Sequence, residues 1–186
     1  MFKTFCAAAA GVILTANVAL AGPIEKTDRK DLQVFKDVAK AVERYTQFTI
    51  FDDVSASVKD GVVTLTGRVT MPYKRTDIEK RVSNVDGVRE VHDEIGVLPV
   101  SPFDDALRVR IARSIYGNSN FWNYGIMVNP PIHIVVERGR VTLTGVVQSE
   151  VDRMLAKSLA TQFGAMSVTN ALKTDAEVQA ALEKSE

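Results

Sequence analysis

The sequence predicts an α+β protein of two tandem α-β-β-α-β modules, each a three-stranded sheet packed against two helices. One observation is a short sequence phrase that occurs twice: residues 61–69 read GVVTLTGRV, and residues 139–147 read GRVTLTGVV. A second is that the segments on both sides of each phrase also correspond, in the same order. Repetition at a nearly constant offset is the signature of a duplicated unit.

Each module is predicted to begin with an amphipathic helix, over residues 31–45 in the first module and 104–116 in the second. Apolar side chains recur there at the spacing of one helix face. These positions are Val34, Val38 and Val42 in the first helix, and Leu107, Ile111 and Ile115 in the second.

A β-hairpin is predicted next in each module. Residues 54–58 and 132–136 alternate apolar and polar side chains, and each run is followed by two charged residues and a glycine before the repeated phrase. Alternation with a short glycine turn is typical of a hairpin. We expect Gly67 and Gly145, which end the VTLTG phrase, to permit a turn or close helix packing.

A second helix and a last strand complete each module. Helical spacing covers residues 74–85 and 150–163, and strand-like runs follow at 87–95 and 164–172. The predicted boundaries are 28–98 for the first module, 99–103 for a proline-containing linker, 104–174 for the second module and 175–186 for a helical tail.

This order of elements, with G-x-V-T-L-T-G in the hairpin and G-V-x-x-V-x-[ND]-x-[IL] in the last strand, resembles the BON domain. The second copy departs from the pattern at Ala165 and Met166. The resemblance implies a non-catalytic protein, similar to the OsmY-like periplasmic family with two such domains. It also implies phospholipid binding, envelope integrity or stress protection; other members are linked to ion sensing or to chaperoning of exported proteins.

Residues 1–21 have the composition of a cleavable signal peptide, with a basic start, an apolar stretch and a small-residue site at 19–21. Export to the periplasm is therefore expected. The only cysteine, Cys6, lies in this leader, so a mature chain would contain no disulfide and no thiolate. Lys plus Arg and Asp plus Glu each number 23, so the overall charge gives no reason to expect nucleic acid as a partner.

Side chains that could carry catalysis or hold a cofactor are sparse. His92 and His133 fall in different modules, and neither has a second metal ligand at a suitable spacing. The neighbours Asp52-Asp53 and Asp93-Glu94 are expected to be solvated at turns and strand ends, because adjacent strand residues point to opposite faces. We therefore predict no enzyme activity, no metal and no cofactor.

The second module contains five additional residues between its first helix and its first strand, since Val42 to Val54 spans 12 residues and Ile115 to Ile132 spans 17. This region, GNSNFWNYGIMVNPP at residues 117–131, is predicted to be a loop. We call it the insert.

The insert and the helix before it form the candidate binding site. Residues 102–173 carry eight Lys and Arg against five Asp and Glu, whereas residues 28–98 carry 12 against 13. Aromatic side chains favour the lipid headgroup boundary, and arginines are attracted to anionic lipid. The predicted lipid-binding residues are Phe121, Trp122, Tyr124, Arg108, Arg110 and Arg113. The alternative is that Phe121 and Trp122 fold back and cap the core of the module.

Two classes of function follow from these features together with what the resemblance implies. The first is a non-catalytic envelope protein that binds an anionic phospholipid surface, in envelope maintenance or osmotic stress protection. The alternative is a periplasmic chaperone or interaction module for exported or envelope proteins. The apolar Val135 and Val146 are expected on the outward face of the sheet, where they would pack on the first module or on a partner protein. The oligomeric state is left open.

Overall fold

The computed structural model describes residues 30–183 and confirms an α+β protein of two α-β-β-α-β units, here called the first and second domains. The first contains α1 (Asp31–Glu43), β1 (Asp53–Lys59), β2 (Val62–Val69), α2 (Pro72–Ser83) and β3 (Glu90–Val97). The second contains α3 (Pro102–Tyr116), α4 (Trp122–Gly125), β4 (Ile132–Glu137), β5 (Arg140–Val147), α5 (Glu150–Ala160), β6 (Ser167–Asn170), β7 (Lys173–Thr174) and α6 (Asp175–Glu183). The proposed leader and Cys6 lie outside the described residues.

Each domain has its own sheet. Strand β2 pairs antiparallel with β1 and parallel with β3, and β5 pairs in the same way with β4 and β6. The second sheet differs from the predicted three strands because its last strand is interrupted: Leu172 turns into the core, and the short β7 then rejoins β5. The helices cover one face of each sheet and close two separate apolar cores.

Two-residue turns close both hairpins. Asp60 and Gly61 have φ values of 51° and 74°, and Arg138 and Gly139 have 53° and 74°. Positive φ at both central residues defines the type I′ turn, whose twist matches that of the flanking strands. The turns therefore fix the register of the repeated phrase.

An aspartate at the start of the first helix of each domain binds these turns. The Asp31 carboxylate accepts hydrogen bonds from the backbone N–H groups of Asp60 at 2.8 Å and Gly61 at 3.0 Å. The Asp104 carboxylate accepts two equivalent bonds at 2.8 Å in the second domain. The first helix is thereby fixed to the far end of the hairpin.

Gly67 and Gly145 are required for a reason other than the predicted turn or helix packing. Both have positive φ, 126° and 108°, and lie inside β2 and β5. A Cβ on Gly67 would overlap the carbonyl oxygen of Asp53, and one on Gly145 would overlap that of Pro131. The glycine that ends each VTLTG phrase therefore admits the backbone of the neighbouring strand.

The two domains contact each other through the segment that precedes β1. Ile50 and Phe51 pack against the core of the second domain, and the N–H of Ile134 donates to the carbonyl of Ile50 at 2.7 Å. The guanidinium of Arg68 adds an ion pair with Glu137 at 3.3 Å. The segment of residues 48–51 thus covers the outer edge of β4.

Val135 lies on the outward face of the second sheet, as expected, but only 7% of it is exposed. Its neighbour on that face, His133, places its ring 5.4 Å from the ring of Phe48. The first domain therefore contacts part of this face, and Val146 is half-buried.

Candidate functional site

The insert is folded, although the sequence predicted a loop. Residues 119–121 form a 3-10 turn whose N-terminus is capped by Asn118, and α4 follows at once. Phe121 is fully buried in the second core, with its ring centroid 5.8 Å from that of Tyr124. The alternative prediction, that the insert caps its own core, thus describes Phe121.

Tyr124 is also buried and acts as a polar anchor. Its hydroxyl accepts a hydrogen bond from the N–H of Gln148 at 2.8 Å and donates one to Oδ2 of Asp152 at 3.0 Å. Burial raises the pKa of Tyr124, and the Asp152 carboxylate raises it further, against the opposing effect of the Gln148 N–H. The phenol therefore stays protonated and ties the insert to the end of β5 and the start of α5.

Four other apolar side chains of the insert point into solvent. Trp122 is 67% exposed, Ile126 67%, Met127 45% and Val128 97%. We call these four residues the exposed ridge. Because Phe121 and Tyr124 hold the backbone on either side of Trp122, the ridge projects from a fixed support.

The three candidate arginines also divide into buried and exposed side chains. Arg108 is buried: it donates to the carbonyl of Val136 at 3.2 Å and pairs with Asp105 at 3.3 Å, beneath the ring of Phe51. Arg110 and Arg113 are exposed on α3.

The predicted contact set is therefore corrected. Phe121, Tyr124 and Arg108 are engaged inside the protein and cannot reach a flat surface without unfolding the insert or the domain contact. Trp122, Arg110 and Arg113 remain accessible. Ile126, Met127 and Val128 are accessible as well and were not among the predicted residues, although their position close to Trp122 was a usable signal.

In the first domain, the buried polar anchor that corresponds to Tyr124 is Asp52. Asp52 was expected to be solvated, yet it is fully buried and pairs with Nζ of Lys74 at 2.6 Å. It also accepts hydrogen bonds from the backbone and side chain of both Thr49 and Thr70. Burial alone would raise the pKa of Asp52, but the hydrogen bonds from Lys74, Thr49 and Thr70 outweigh it and lower that pKa.

The histidines do not form a site. His92 is exposed beside Glu90, and His133 is half-buried against Phe48. Within residues 30–183, no group of three or more His, Cys, Asp or Glu side chains is placed to hold a metal ion. No helix in that range is long and apolar enough to cross a bilayer.

A groove of about 900 Å³ lies between α1 of the first domain and the C-terminal part of the second. Its apolar walls include Leu32 and Phe35 on one side and Leu172 and Val178 on the other. Glu177, at its rim, is paired with Arg153.

Comparison with known proteins places this geometry in a family. Residues 31–99 and 104–176 both match the BON domain model. A search of curated proteins finds no match. Similar solved structures include the C-terminal domain of CdsD, a structural protein of the type III secretion system of Chlamydia trachomatis, at 18% identity, 80% coverage of this chain, 69% of that chain and a TM-score of 0.33.

A second CdsD structure matches at 14% identity, with 79% of this chain, 97% of that chain and a TM-score of 0.26. Both TM-scores are too low to bear on function. BON domains are associated with membrane or phospholipid-binding envelope proteins, and the family is generally non-catalytic. The duplicated fold and the two family matches together show that the chain belongs to the BON domain family, with two BON domains in tandem.

Proposed function

We propose that this protein is exported to the periplasm and binds anionic phospholipid surfaces, mainly through its second domain, without catalysis, in envelope maintenance or osmotic stress protection. The observation that carries the proposal is the exposed ridge, in which Trp122, Ile126, Met127 and Val128 face solvent on a folded support. Clustered apolar side chains at a surface are characteristic of a lipid or protein contact.

The ridge suits a membrane because it combines a tryptophan with aliphatic side chains. Indole rings favour the headgroup boundary, where the ring enters the apolar region and its N–H stays hydrated. Little ordering is needed on binding, since Phe121 and Tyr124 already hold the backbone of the insert.

The first domain provides an internal comparison. Its corresponding connection lacks the five additional residues, and its aromatic side chains Tyr45, Phe48 and Phe51 are buried or half-buried. The fold therefore forms without a ridge at this position, so the ridge is not a requirement of folding.

Charge adds a second attraction. Arg110 and Arg113 are exposed on the helix that leads to the insert. A basic side chain near an anionic bilayer contributes about 1 kcal/mol. Salt screens exposed charges, with a Debye length of about 10 Å at 0.1 M ionic strength. Binding should therefore weaken, but not vanish, as the salt concentration rises.

The test is co-sedimentation of the chain from Gly22, the expected mature form, with vesicles containing phosphatidylglycerol at low and high salt. Trp122→Ala should lower the affinity of the protein for vesicles by roughly tenfold, because it removes apolar area from the contact. Tyr73→Ala is the matched control, because Tyr73 is an exposed aromatic side chain of the first domain, at 51%. Absence of binding by the unsubstituted protein at low salt would refute the proposal.

The groove favours the second candidate function, binding of unfolded exported proteins. Its apolar walls could hold an apolar segment of an extended client, and such binding should depend little on salt. Val178→Asp, which places a charge in the groove, should then abolish capture of an unfolded outer-membrane protein, while Trp122→Ala should not. The reverse pattern would exclude the groove.

A further inference from the structure

A second apolar cluster lies at the hairpin turn of the second domain, at the far end of β4 from the insert. Phe103 is 56% exposed and Met166 76%. Both flank Gly139: a Cβ built there would lie 3.1 Å from Cγ of Met166 and 3.7 Å from Cε1 of Phe103. The N–H of Met166 donates to the carbonyl of Gly139 at 2.8 Å, so this arrangement is fixed by the backbone.

Two arginines border the cluster. Arg138 and Arg140 are the residues on either side of Gly139, and both are exposed. Among residues 30–183, neither guanidinium takes part in an ion pair. We call Phe103, Met166, Arg138 and Arg140 the tip patch. Apolar side chains next to exposed arginines without an ion-pair partner are complementary to an anionic, partly apolar surface.

The first domain shows that folding does not require this composition. Arg89 occupies the position of Met166, because its N–H makes the same 2.8 Å bond to the carbonyl of Gly61. Asp60 occupies the position of Arg138, within the same type I′ turn. The same backbone thus carries polar side chains in one domain and an apolar, basic patch in the other.

Helix α3 connects the two apolar ends of the second domain. It begins beside Phe103 and ends at Tyr116, just before the insert, and its 15 residues span about 22 Å at 1.5 Å per residue. Phe103, Arg110 and Arg113 are separated by seven and three positions and therefore lie on one side of the helix. This side is continuous from the tip patch towards the exposed ridge.

We propose that the tip patch is a second contact with the anionic phospholipid surface, so that α3 lies along the bilayer with an apolar anchor at each end. This inference rests on the proposed function and adds the orientation of the bound domain. Two anchors on one rigid body bind more tightly than either alone, because the second contact forms without a new loss of translational freedom.

Site-specific fluorescence tests both ends in one sample. Trp122 is the only tryptophan, so its emission reports on the ridge. The chain from Gly22 contains no cysteine, so Met166→Cys accepts a single environment-sensitive dye at the tip patch. Ser57→Cys, on an exposed position of the first sheet, is the matched control.

With phosphatidylglycerol vesicles, we expect blue shifts from Trp122 and from the dye at position 166, and none from the dye at position 57. A shift of Trp122 alone would overturn the tip contact and leave the proposed function standing. No shift at either end, together with no co-sedimentation, would overturn both.

A variant series gives an independent measurement without a dye. Phe103→Ser with Met166→Ser should lower vesicle affinity by roughly tenfold, as expected for losing two exposed apolar side chains from a contact. Met71→Ser with Tyr73→Ser, at side chains that are 50% and 51% exposed in the first domain, should leave it unchanged. Equal affinities for the two double variants would contradict the inference.

Discussion

Tyr124 in the second domain and Asp52 in the first each bind the backbone just after the repeated phrase and a side chain of the helix that follows it. Asp52 accepts the N–H of Thr70 at 2.7 Å and binds Lys74, whereas Tyr124 accepts the N–H of Gln148 at 2.8 Å and binds Asp152. Thr70 and Gln148 occupy matching positions after the repeated phrase, as do Lys74 and Asp152 on the helix that follows. A buried ion pair in one copy is thus replaced by a neutral phenol and a carboxylate in the other.

This exchange explains why the insert is folded. Tyr124 comes from the insert itself, so its hydroxyl draws those residues onto the end of β5. The adjacent Trp122 is then left outside, because Phe121 and Tyr124 point into the core. The exposed ridge is a consequence of where the polar anchor is attached.

The first prediction concerns the buried ion pair. Lys74→Met keeps most of the side-chain volume but leaves Asp52 as a buried charge without its counterion, so the free energy of unfolding should fall by about 3–5 kcal/mol. Urea denaturation measures this change. Arg68→Met is the control: Arg68 pairs with Glu137 at 3.3 Å, and both side chains are partly exposed, at 46% and 35%, so this pair should contribute about 0–1 kcal/mol. Similar losses in both variants would contradict the assignment.

The second prediction concerns acid. The pKa of Asp52 is lower in the folded protein than the value of about 3.9 expected when unfolded, so its contribution is complete above that value. This contribution is lost as the pH falls through the folded-state pKa. Urea titrations below about pH 4 should show wild-type stability falling faster than that of Asp52→Asn, which has no charge to lose. Parallel curves would show that Asp52 is not responsible.

The third prediction separates anchoring from contact in the insert. Tyr124→Phe leaves the N–H of Gln148 and the carboxylate of Asp152 without their partner and should cost about 1–3 kcal/mol of unfolding free energy. Trp122→Ala, at a 67% exposed position, should change stability by less than about 0.5 kcal/mol. Thermal unfolding checks both variants. A large loss for Trp122→Ala would show that the indole is structural.

The fourth prediction concerns the glycine of the repeated phrase. Gly145→Ala would place a methyl group onto the carbonyl oxygen of Pro131 at positive φ, so we expect a loss above about 2 kcal/mol or failure to fold. Gly164→Ala is the control, since it also has positive φ but meets no atom within 4 Å; it should cost about 1 kcal/mol. Circular dichroism and urea denaturation distinguish the two outcomes.

The fold was predictable because it depends on patterns that repeat. Helical spacing at Val34 and Val38, alternation in β1 and the short glycine turns are local signals, and each occurs twice in the same order. Two family matches agree with them. The differences between the predicted and the observed elements were local as well. Helix α3, for example, begins at Pro102 rather than at Asp104, because Ser101 caps its first turn.

The site was less predictable because burial depends on distant partners. Nothing adjacent to Asp52 indicates that Lys74, 22 residues later, will bury it. The aromatic residues of the insert look equivalent in the sequence, but two of them face the core and one faces solvent. In the sequence, Arg108 and Arg110 are equally basic residues of one predicted helix. In the structure, the ring of Phe51 from the first domain packs over Arg108.

The bond from Ile134 to Ile50 has a consequence for any attempt to divide the chain. A fragment starting at the linker would lose residues 48–51 and would present β4 as an uncovered strand with a vacant donor. Open strand edges recruit other chains. The isolated second half should therefore self-associate more readily than the intact protein, in which residues 48–51 cover this edge, and size-exclusion chromatography of the two measures the difference.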